Sequence, residues 1–220
     1  KKLINERTRA VVAVDYAGQC CDYDALRNLA APGGIALVSD ACHALGGTYR
    51  GVPVGNVADL TAFSFHPVKP VTTGEGGMIT TGSAAFAGKM RRFRNHGISS
   101  DHRVRSQNGS WYYEMETLGF NYRLTDIQCA LGISQIKKLL QWTEKRNHLA
   151  RIYDQVFKDI PLVKPLKNLE YGVHARHLYV VRLDTACPVT RAGMFSFLRD
   201  QGIGVNVHYI PVYYHPFYQE

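Results

Sequence analysis

A lysine held between two prolines is the residue of this sequence best suited to covalent chemistry. Lys69 follows Phe65-His66-Pro67-Val68 and precedes Pro70, just after an alternating run typical of a strand. Because each proline fixes a backbone angle and removes a donor, the loop around the lysine should be stiff. A rigidly held amine beyond the carboxyl end of a strand can form a Schiff base with a carbonyl. On residue type alone, a solvated surface lysine is the commoner interpretation.

Three further polar residues lie close to the ends of predicted strands. Asp40 follows the apolar run Ile35–Val38 at the carboxyl end of a predicted strand, where on its own it would be expected to cap the next turn. His43 shares a face with Asp40 if that turn is helical, although a lone histidine is more often structural. Ser64 ends the third strand, where an ordinary serine would be satisfied by the backbone.

The glycine-rich run Gly74-Glu75-Gly76-Gly77 predicts a tight turn near Lys69. It lacks the lysine and the spacing of a nucleotide-binding P-loop. Further along, Asn121 and Arg123 precede a helix that should begin at Thr125. A guanidinium is well shaped for a diphosphate, but both residues could equally cap that helix.

The elements that must position these groups follow from hydrophobic patterning and turn residues. Strand and helix signals alternate in the first half of the chain, which predicts an α/β fold with right-handed crossovers. We expect the residues from about Asp101 to Thr117 to form a flexible, irregular loop. The predicted strands are Arg9–Asp15, Ile35–Val38, Leu60–Phe65, Gly77–Thr81, His177–Leu183 and Val205–Tyr209, and the predicted helices are Asp22–Ala31, Ser83–Arg94, Thr125 to about Phe157, and Thr190–Gln201.

Composition excludes several classes of protein. With 45% hydrophobic and 20% charged residues, the chain is not disordered. No apolar run approaches the ~20 residues of a membrane helix, so we expect no membrane association. The net charge of +8 is scattered, and without a nucleic-acid-binding motif it favours phosphorylated small molecules over nucleic acid. Five cysteines with no C-x-x-C pair argue against a zinc site and for a reducing, cytoplasmic compartment.

Four motifs in order give the chain a resemblance to a known family. They are Ser39-Asp40-Ala41-Cys42-His43-Ala44-Leu45-Gly46, Phe63-Ser64-Phe65-His66-Pro67-Val68-Lys69, Gly74-Glu75-Gly76-Gly77 and Gly119-Phe120-Asn121-Tyr122-Arg123. Together they resemble the nucleotide-sugar aminotransferases, which are pyridoxal-phosphate enzymes of aminotransferase fold-type I. The likeness is strongest to the branch that aminates C4 of a UDP-linked 4-keto-6-deoxy sugar in pseudaminic acid biosynthesis.

The resemblance implies a mostly parallel sheet with flanking helices, plus part of a smaller C-terminal α/β domain. It divides the chain into part of a large cofactor-binding domain over 1–140 and a linking helix with part of the small domain over 141–220. Proteins of this family are longer at both ends. Their N-terminal portion supplies a phosphate-binding turn and a ring that stacks on the cofactor, neither of which is visible here, so we expect this sequence to be a fragment.

The resemblance also assigns roles to individual residues. Lys69 becomes the catalytic lysine that binds pyridoxal phosphate, with Asp40, His43 and Ser64 contacting its ring nitrogen, phenolic oxygen and phosphate. Asn121 would reach the phosphate in the neighbouring subunit, which implies a homodimer with shared active sites.

The substrates implied are a UDP-sugar and an amino-acid donor such as glutamate, with no metal ion. Arg123, His208 and Tyr209 would contact the sugar nucleotide, although His208 and Tyr209 could equally be core residues. Two alternatives stay open at this point. One is a pyridoxal-phosphate sugar dehydratase, whose relatives carry a histidine or an iron–sulfur cluster. The other is a non-catalytic regulatory relative.

Overall fold

The computed structural model describes residues 3–100 and 102–219, without the side chain of His102. Its chain divides into two compact units. The first unit runs from the first described residues to Asp154 and includes Lys167–Val180. The second unit consists of Gln155–Leu166 and the described residues from Val181 onward. The sequence-based division at residue 140 stays a prediction.

Strands and helices are numbered here in chain order. The strands are β1 (Ala10–Val14), β2 (Ala36–Asp40), β3 (Thr48–Tyr49), β4 (Val52–Pro53), β5 (Leu60–Ser64), β6 (Gly77–Thr80), β7 (Val163–Pro165) and β8 (Val181–Leu183). The helices are α1 (Tyr23–Ala30), α2 (Ala84–Phe93), α3 (His102–Gln107), α4 (Asp126–Ile136), α5 (Leu139–Phe157) and α6 (Arg191–Asp200). The described helices include none long and apolar enough to span a bilayer.

The main sheet of the first unit has the strand order β1-β2-β5-β6. The strands β1, β2 and β5 are parallel, with Val14 opposite Asp40 and Asp40 opposite Ala62. This arrangement confirms the predicted α/β class, in which helix α1 connects β1 to β2. Since parallel strands end at the same edge, the residues that follow β1, β2 and β5 lie near one another.

Strand β6 runs antiparallel to β5, so the sheet is mixed. The chain therefore leaves the sheet after Ser64 and returns to the same edge at Gly77. Hydrogen bonds from Phe65 N to Gly76 O at 2.8 Å and from Thr73 N to Phe65 O at 3.0 Å close the base of this loop. Lys69 lies inside the loop, beyond the carboxyl end of β5, as the sequence predicts.

A single apolar core supports this edge. Leu37 of β2 is 1% exposed, and it clusters with Phe63, Phe65 and Val71 from β5 and the loop that follows. Fully burying a leucine is worth about 1.5–3 kcal/mol, so the core holds the loop from beneath. Leu139 of α5 joins the same cluster.

The helical region predicted from Thr125 to about Phe157 consists of two helices, with Lys137 and Lys138 between them. Helix α4 ends at Ile136, and Lys138 N then bonds to Gln135 O in a tighter turn. Leu139 and Thr143 are both buried. A Cβ added to Gly46 would lie 3.1 Å from Leu139 Cδ1 and 2.7 Å from Thr143 Oγ1. Leu139, the first residue of α5, is thus anchored in the core.

Three other sequence predictions need correction. The region predicted as an irregular loop contains α3, although its first residue, Asp101, lies outside the described residues. Only Val181–Leu183 of the predicted strand His177–Leu183 is a strand, pairing with β7. The predicted strand Val205–Tyr209 is absent, since among the described residues no other strand pairs with it to satisfy its backbone groups.

Candidate active site

The carboxylate of Asp40 stands at the end of β2 and is half-buried. Its Oδ1 accepts a hydrogen bond from the main-chain N–H of Cys42 at 3.1 Å. This is the capping contact that the simpler interpretation of Asp40 predicts. The contact fixes the side chain through one oxygen, and a carboxylate can accept further bonds at the other.

The thiol of Cys42 lies beside the Asp40 carboxylate and experiences the charge of Lys69. Burial raises the pKa of Cys42 to about 11, and a hydrogen bond to the Asp40 carboxylate and its negative charge act in the same direction. The positive charge of Lys69 opposes this rise in pKa. Asp40 ends β2, and Ser64 ends the adjacent parallel strand β5, from which the Lys69 loop departs. The structure thus brings Lys69 and Asp40, predicted separately, into one neighbourhood.

The lysine loop is ordered by its own main chain. Lys69 N donates to His66 O at 2.9 Å, which makes a turn over Pro67 and Val68. Pro70, the residue after the lysine, is buried, and Lys69 itself is half-buried. The burial of Pro70 therefore supports the stiffness predicted from the two prolines.

Ser64 begins this loop and accepts a hydrogen bond at Oγ from His66 N at 3.3 Å. The backbone thus satisfies its oxygen, as one of the two interpretations predicts. A hydroxyl also has one proton to donate, which this bond does not use. Ser64 therefore retains the capacity to donate to a phosphate oxygen.

The ring of His43 packs beside the turn that follows β1. Its Nδ1 accepts a hydrogen bond from Ala17 N at 3.2 Å. Its ring centroid lies 4.5 Å from that of His177 and 6.1 Å from that of Tyr16. The motif Asp40–His43 indicates a site, but His177 is 134 residues from His43 in sequence, and no local pattern connects them.

A buried carboxylate that sequence reasoning missed supports the same edge. Asp15 directly follows β1 and is 0% exposed. Its carboxylate accepts from Cys21 N and Ser39 Oγ, both at 2.9 Å, and its two oxygens lie 2.8 Å from the Tyr23 hydroxyl. Burial raises the pKa of Asp15, while these hydrogen bonds act against the rise. The sequence signal that could have identified Asp15 is an aspartate at the end of an apolar strand, a pattern that Asp40 also shows.

The main chain joins the two aspartates, although their side chains lie on different faces. Asp15 N donates to Asp40 O at 3.0 Å. Successive side chains alternate across a sheet, so Ser39 joins the Asp15 network while Asp40 faces the opposite side. The buried network therefore holds the strand end from which Asp40 projects.

The structure connects Asn121 and Arg123 with the segment after α2. Asn121 forms a bridge with Asn95, and Arg123 Nη1 donates to Asn95 Oδ1 at 2.6 Å. Neither residue caps α4, because Thr125 does so in a reciprocal capping box with Gln128. The capping interpretation of Asn121 and Arg123 is therefore wrong. The described hydrogen bonds do not link either of them to the Lys69 loop.

His208 and Tyr209 belong to the second unit. Their ring centroids are 4.2 Å apart, and Tyr209 is 63% exposed. An exposure of that size excludes a core role for Tyr209 within its unit. The role of both residues in substrate binding stays a prediction.

Comparison with known proteins identifies the family. The model of the DegT/DnrJ/EryC1/StrS aminotransferase family matches residues 1–220. This chain belongs to that family. The sequence is 41% identical, over 216 residues, to a protein of Campylobacter jejuni named UDP-4-amino-4,6-dideoxy-N-acetyl-beta-L-altrosamine transaminase. The alignment covers 98% of this chain and 56% of that one, so the chain spans little more than half the length of this relative.

Solved structures of family members share the fold. Helicobacter pylori PseC, an aminotransferase involved in the biosynthesis of pseudoaminic acid, superposes with a TM-score of 0.89 at 38% identity. This match covers 99% of the chain and 57% of PseC. The PLP-form of a putative sugar aminotransferase from Streptococcus pneumoniae gives a TM-score of 0.88 at 31% identity, covering 99% of this chain and 59% of that one.

The groups at this edge have the chemistry that pyridoxal phosphate requires. Lys69 supplies an amine, Asp40 a carboxylate, and Ser64 a hydroxyl donor, all at the carboxyl ends of adjacent strands. These groups match an aldehyde, a ring nitrogen that works best when protonated, and a phosphate. The residues present therefore fit the family's cofactor. Within the described residues, no group of three or more His, Cys, Asp or Glu side chains could hold a metal ion.

Proposed function

We propose that this protein is a pyridoxal-phosphate-dependent sugar aminotransferase with Lys69 as its catalytic residue. The observation that carries the proposal is the placement of Asp40 and of the Lys69 loop at the carboxyl ends of the adjacent parallel strands β2 and β5. An amine and a carboxylate at one sheet edge match the two ends of the cofactor that must be held. When bound, the cofactor supplies an electron sink that makes a carbon-bound proton labile.

The residues of the chain then have distinct tasks. Lys69 Nζ would hold the aldehyde of the cofactor, and its amine would also be the group that takes up and returns a proton. Its rigid loop would keep Nζ in one position for both tasks. The Asp40 carboxylate favours a proton on the ring nitrogen through its negative charge. The Ser64 hydroxyl donates to the phosphate.

For the substrates, we propose an amino-acid donor, glutamate, and a UDP-linked 4-keto-6-deoxy sugar aminated at C4. Support comes from the name of the Campylobacter relative and from PseC, both matched over nearly all of this chain. Arg123, with His208 and Tyr209, is proposed to contact the sugar nucleotide. A planar guanidinium suits the diphosphate because it offers paired donors to phosphate oxygens.

Covalent labelling tests the cofactor assignment directly. The purified protein is mixed with pyridoxal phosphate, reduced with borohydride and mapped by mass spectrometry. We expect a phosphopyridoxyl group on Lys69 that disappears in Lys69→Ala. It should persist in Lys89→Ala, a matched control on the exposed surface of α2. A labelling pattern that is the same in all three proteins would refute the proposed role of Lys69.

A substrate assay separates transfer from dehydration. Amino transfer consumes one glutamate for each sugar aminated, whereas a dehydratase would release water from the sugar without consuming the donor. We expect equal amounts of 2-oxoglutarate and amino sugar. Loss of water from the sugar with no 2-oxoglutarate would favour the dehydratase instead.

We further propose a homodimer in which Asn121 completes the partner's active site. The described contacts of Asn121 and Arg123 run to Asn95 rather than to Lys69, which is compatible with a role in another subunit. Mixing Lys69→Ala with Asn121→Ala after co-refolding tests this arrangement. About one quarter of wild-type activity should return, because half of the dimers are mixed and each has one intact site. If no activity returns, the shared-site proposal fails.

A further inference from the structure

The turn after β1 has an unusual backbone conformation that orients one donor. Ala17 has a φ of 59° and Gly18 a φ of 100°. A non-glycine residue in the left-handed region is strained, because its Cβ approaches the following carbonyl oxygen. Ala17 is nevertheless 1% exposed and cannot relax without disturbing its surroundings. In this conformation its N–H points at His43 Nδ1, 3.2 Å away.

Main-chain contacts on both sides keep the turn in place. On one side, Asp15 N is bonded to Asp40 O at 3.0 Å. On the other, Ala175 N donates to Gly18 O at 2.9 Å. A Cβ on Gly18 would lie 2.8 Å from His43 O and 2.9 Å from Arg176 N, so only glycine fits. The turn, the His43 backbone and the 175–177 segment therefore form one tightly packed group.

The bond to Ala17 determines which nitrogen of His43 carries the proton. A neutral imidazole has one N–H donor and one acceptor nitrogen. Because Nδ1 accepts from Ala17, the proton of neutral His43 lies on Nε2. We propose that the turn formed by Tyr16–Gly18 locks His43 in this tautomer, so that His43 presents a donor and not an acceptor to the cofactor. The role toward the cofactor rests on the proposed function, whereas the tautomer does not.

The orientation of the ring is fixed by aromatic neighbours. The His177 ring is tilted by 47° at 4.5 Å from His43, and the Tyr16 ring by 49° at 6.1 Å. The Tyr16 ring comes from the turn after β1, the His43 ring from the turn after β2, and the His177 ring from the segment before β8. We therefore assign Ala17 and His177 as positioning residues that act through His43.

A donor at Nε2 has a specific chemical consequence. The phenolic oxygen of pyridoxal phosphate carries negative charge when ionised, and an N–H donor stabilises that form. An acceptor nitrogen would repel it. The tautomer thus decides whether His43 favours or disfavours the ionised oxygen.

Nuclear magnetic resonance of the cofactor-free protein tests the tautomer without any activity measurement. The histidines are labelled with ¹⁵N, and long-range ¹H–¹⁵N correlation spectra are recorded, with His43 assigned by its absence in His43→Phe. We expect an unprotonated Nδ1 and a protonated Nε2. The Ala17 amide proton should also move upfield in His43→Phe, because its acceptor is gone. A protonated Nδ1 in neutral His43 would overturn the inference.

Variants then separate the turn from its surroundings. Ala17→Gly keeps the N–H and tolerates the positive φ, so the tautomer should be unchanged. Ala17→Pro cannot test the N–H, because proline does not adopt a φ of 59°, and the wild-type spectrum is therefore decisive. With cofactor bound to Lys69, the visible absorbance maximum should shift in His43→Phe and not in His148→Phe, an exposed control on α5. An unshifted maximum in His43→Phe would refute the donor role.

The two proposals fail in distinguishable ways. A locked tautomer without any Lys69 adduct would contradict the proposed aminotransferase while leaving the geometry of His43 established. A Lys69 adduct with His43 in the other tautomer would leave the enzyme assignment intact and refute the inference.

Discussion

Replacing Gly18 with alanine should destabilise the first unit more than replacing any exposed glycine of similar backbone conformation. Two costs combine at this position. A residue with a Cβ at a φ of 100° is strained by about 1–2 kcal/mol. The new Cβ would also lie within 3.0 Å of His43 O and Arg176 N, which are main-chain atoms held by packing. Overpacking of this kind typically costs about 1–3 kcal/mol. We therefore expect a total loss of roughly 2–5 kcal/mol.

Gly34→Ala is the matched control for Gly18→Ala. Gly34 also has a positive φ, 60°, but a Cβ there would meet no atom within 4 Å. Only the backbone strain should appear, at about 1 kcal/mol. The difference between the two variants combines the cost of the close approach to His43 and Arg176 with the greater strain of a φ of 100°.

Urea denaturation followed by tryptophan fluorescence is the appropriate assay. Both tryptophans of the chain, Trp111 and Trp142, lie in the first unit, so the signal reports that unit's unfolding. We expect the transition midpoint of Gly18→Ala to fall well below that of Gly34→Ala, with similar slopes. Equal midpoints would refute the conclusion that the turn is packed against His43. A Gly18→Ala protein that still folds should also show an altered Ala17 amide resonance.

Three further predictions concern the network, the helix cap and the substrate. Asp15→Asn should flatten the pH dependence of stability. Burial raises the pKa of Asp15 in the folded protein above its ordinary value of 3.8. The contribution of Asp15 to stability is therefore present below pH 3.8 and is lost as the pH rises through the folded pKa. Urea midpoints of both proteins between about pH 4 and 7 test this, and parallel profiles would contradict it. Thr125→Ala should lower the free energy of unfolding by about 1 kcal/mol, because it removes the capping box, and Gln128→Ala should lower it by no more. Thermal unfolding measures both variants, and an unchanged midpoint for Thr125→Ala would exclude the cap. Arg123→Lys should raise the KM for the sugar nucleotide more than it lowers kcat, because one point charge replaces a two-pronged donor. Steady-state kinetics decide this, and a loss confined to kcat would remove Arg123 from substrate binding.

The local pattern around each chemical residue was readable because it depends on neighbours in sequence. Pro67 and Pro70 predict a stiff loop, and the loop around Lys69 is ordered by a main-chain turn. Thr125 predicts a helix start and forms a capping box. Ser83 likewise caps α2 by accepting from Phe86 N. Such signals are reliable because caps and turns are satisfied within a few residues.

Predictions failed where partners distant in sequence decide the outcome. The apolar positions along α4 and α5 indicate one helical region, and the structure divides it at Lys137 and Lys138, just before the buried Leu139. His177 carries a strand pattern, but its ring packs against His43 instead. The segment Val205–Tyr209 has strand-forming residues, and a strand needs a neighbouring ladder that the described chain does not provide.

The sequence by itself determined the α/β class, the family and the identity of the residues able to do chemistry. It could do so because strand patterns, prolines, glycines and short motifs act locally. Only the tertiary structure decided that Lys69 and Asp40 share the surroundings of Cys42, that Asp15 is buried beneath their edge, and that Ala17 sets the proton of His43. These relations arise where strand ends converge, and the sequence spacing of their residues does not encode the distance between them.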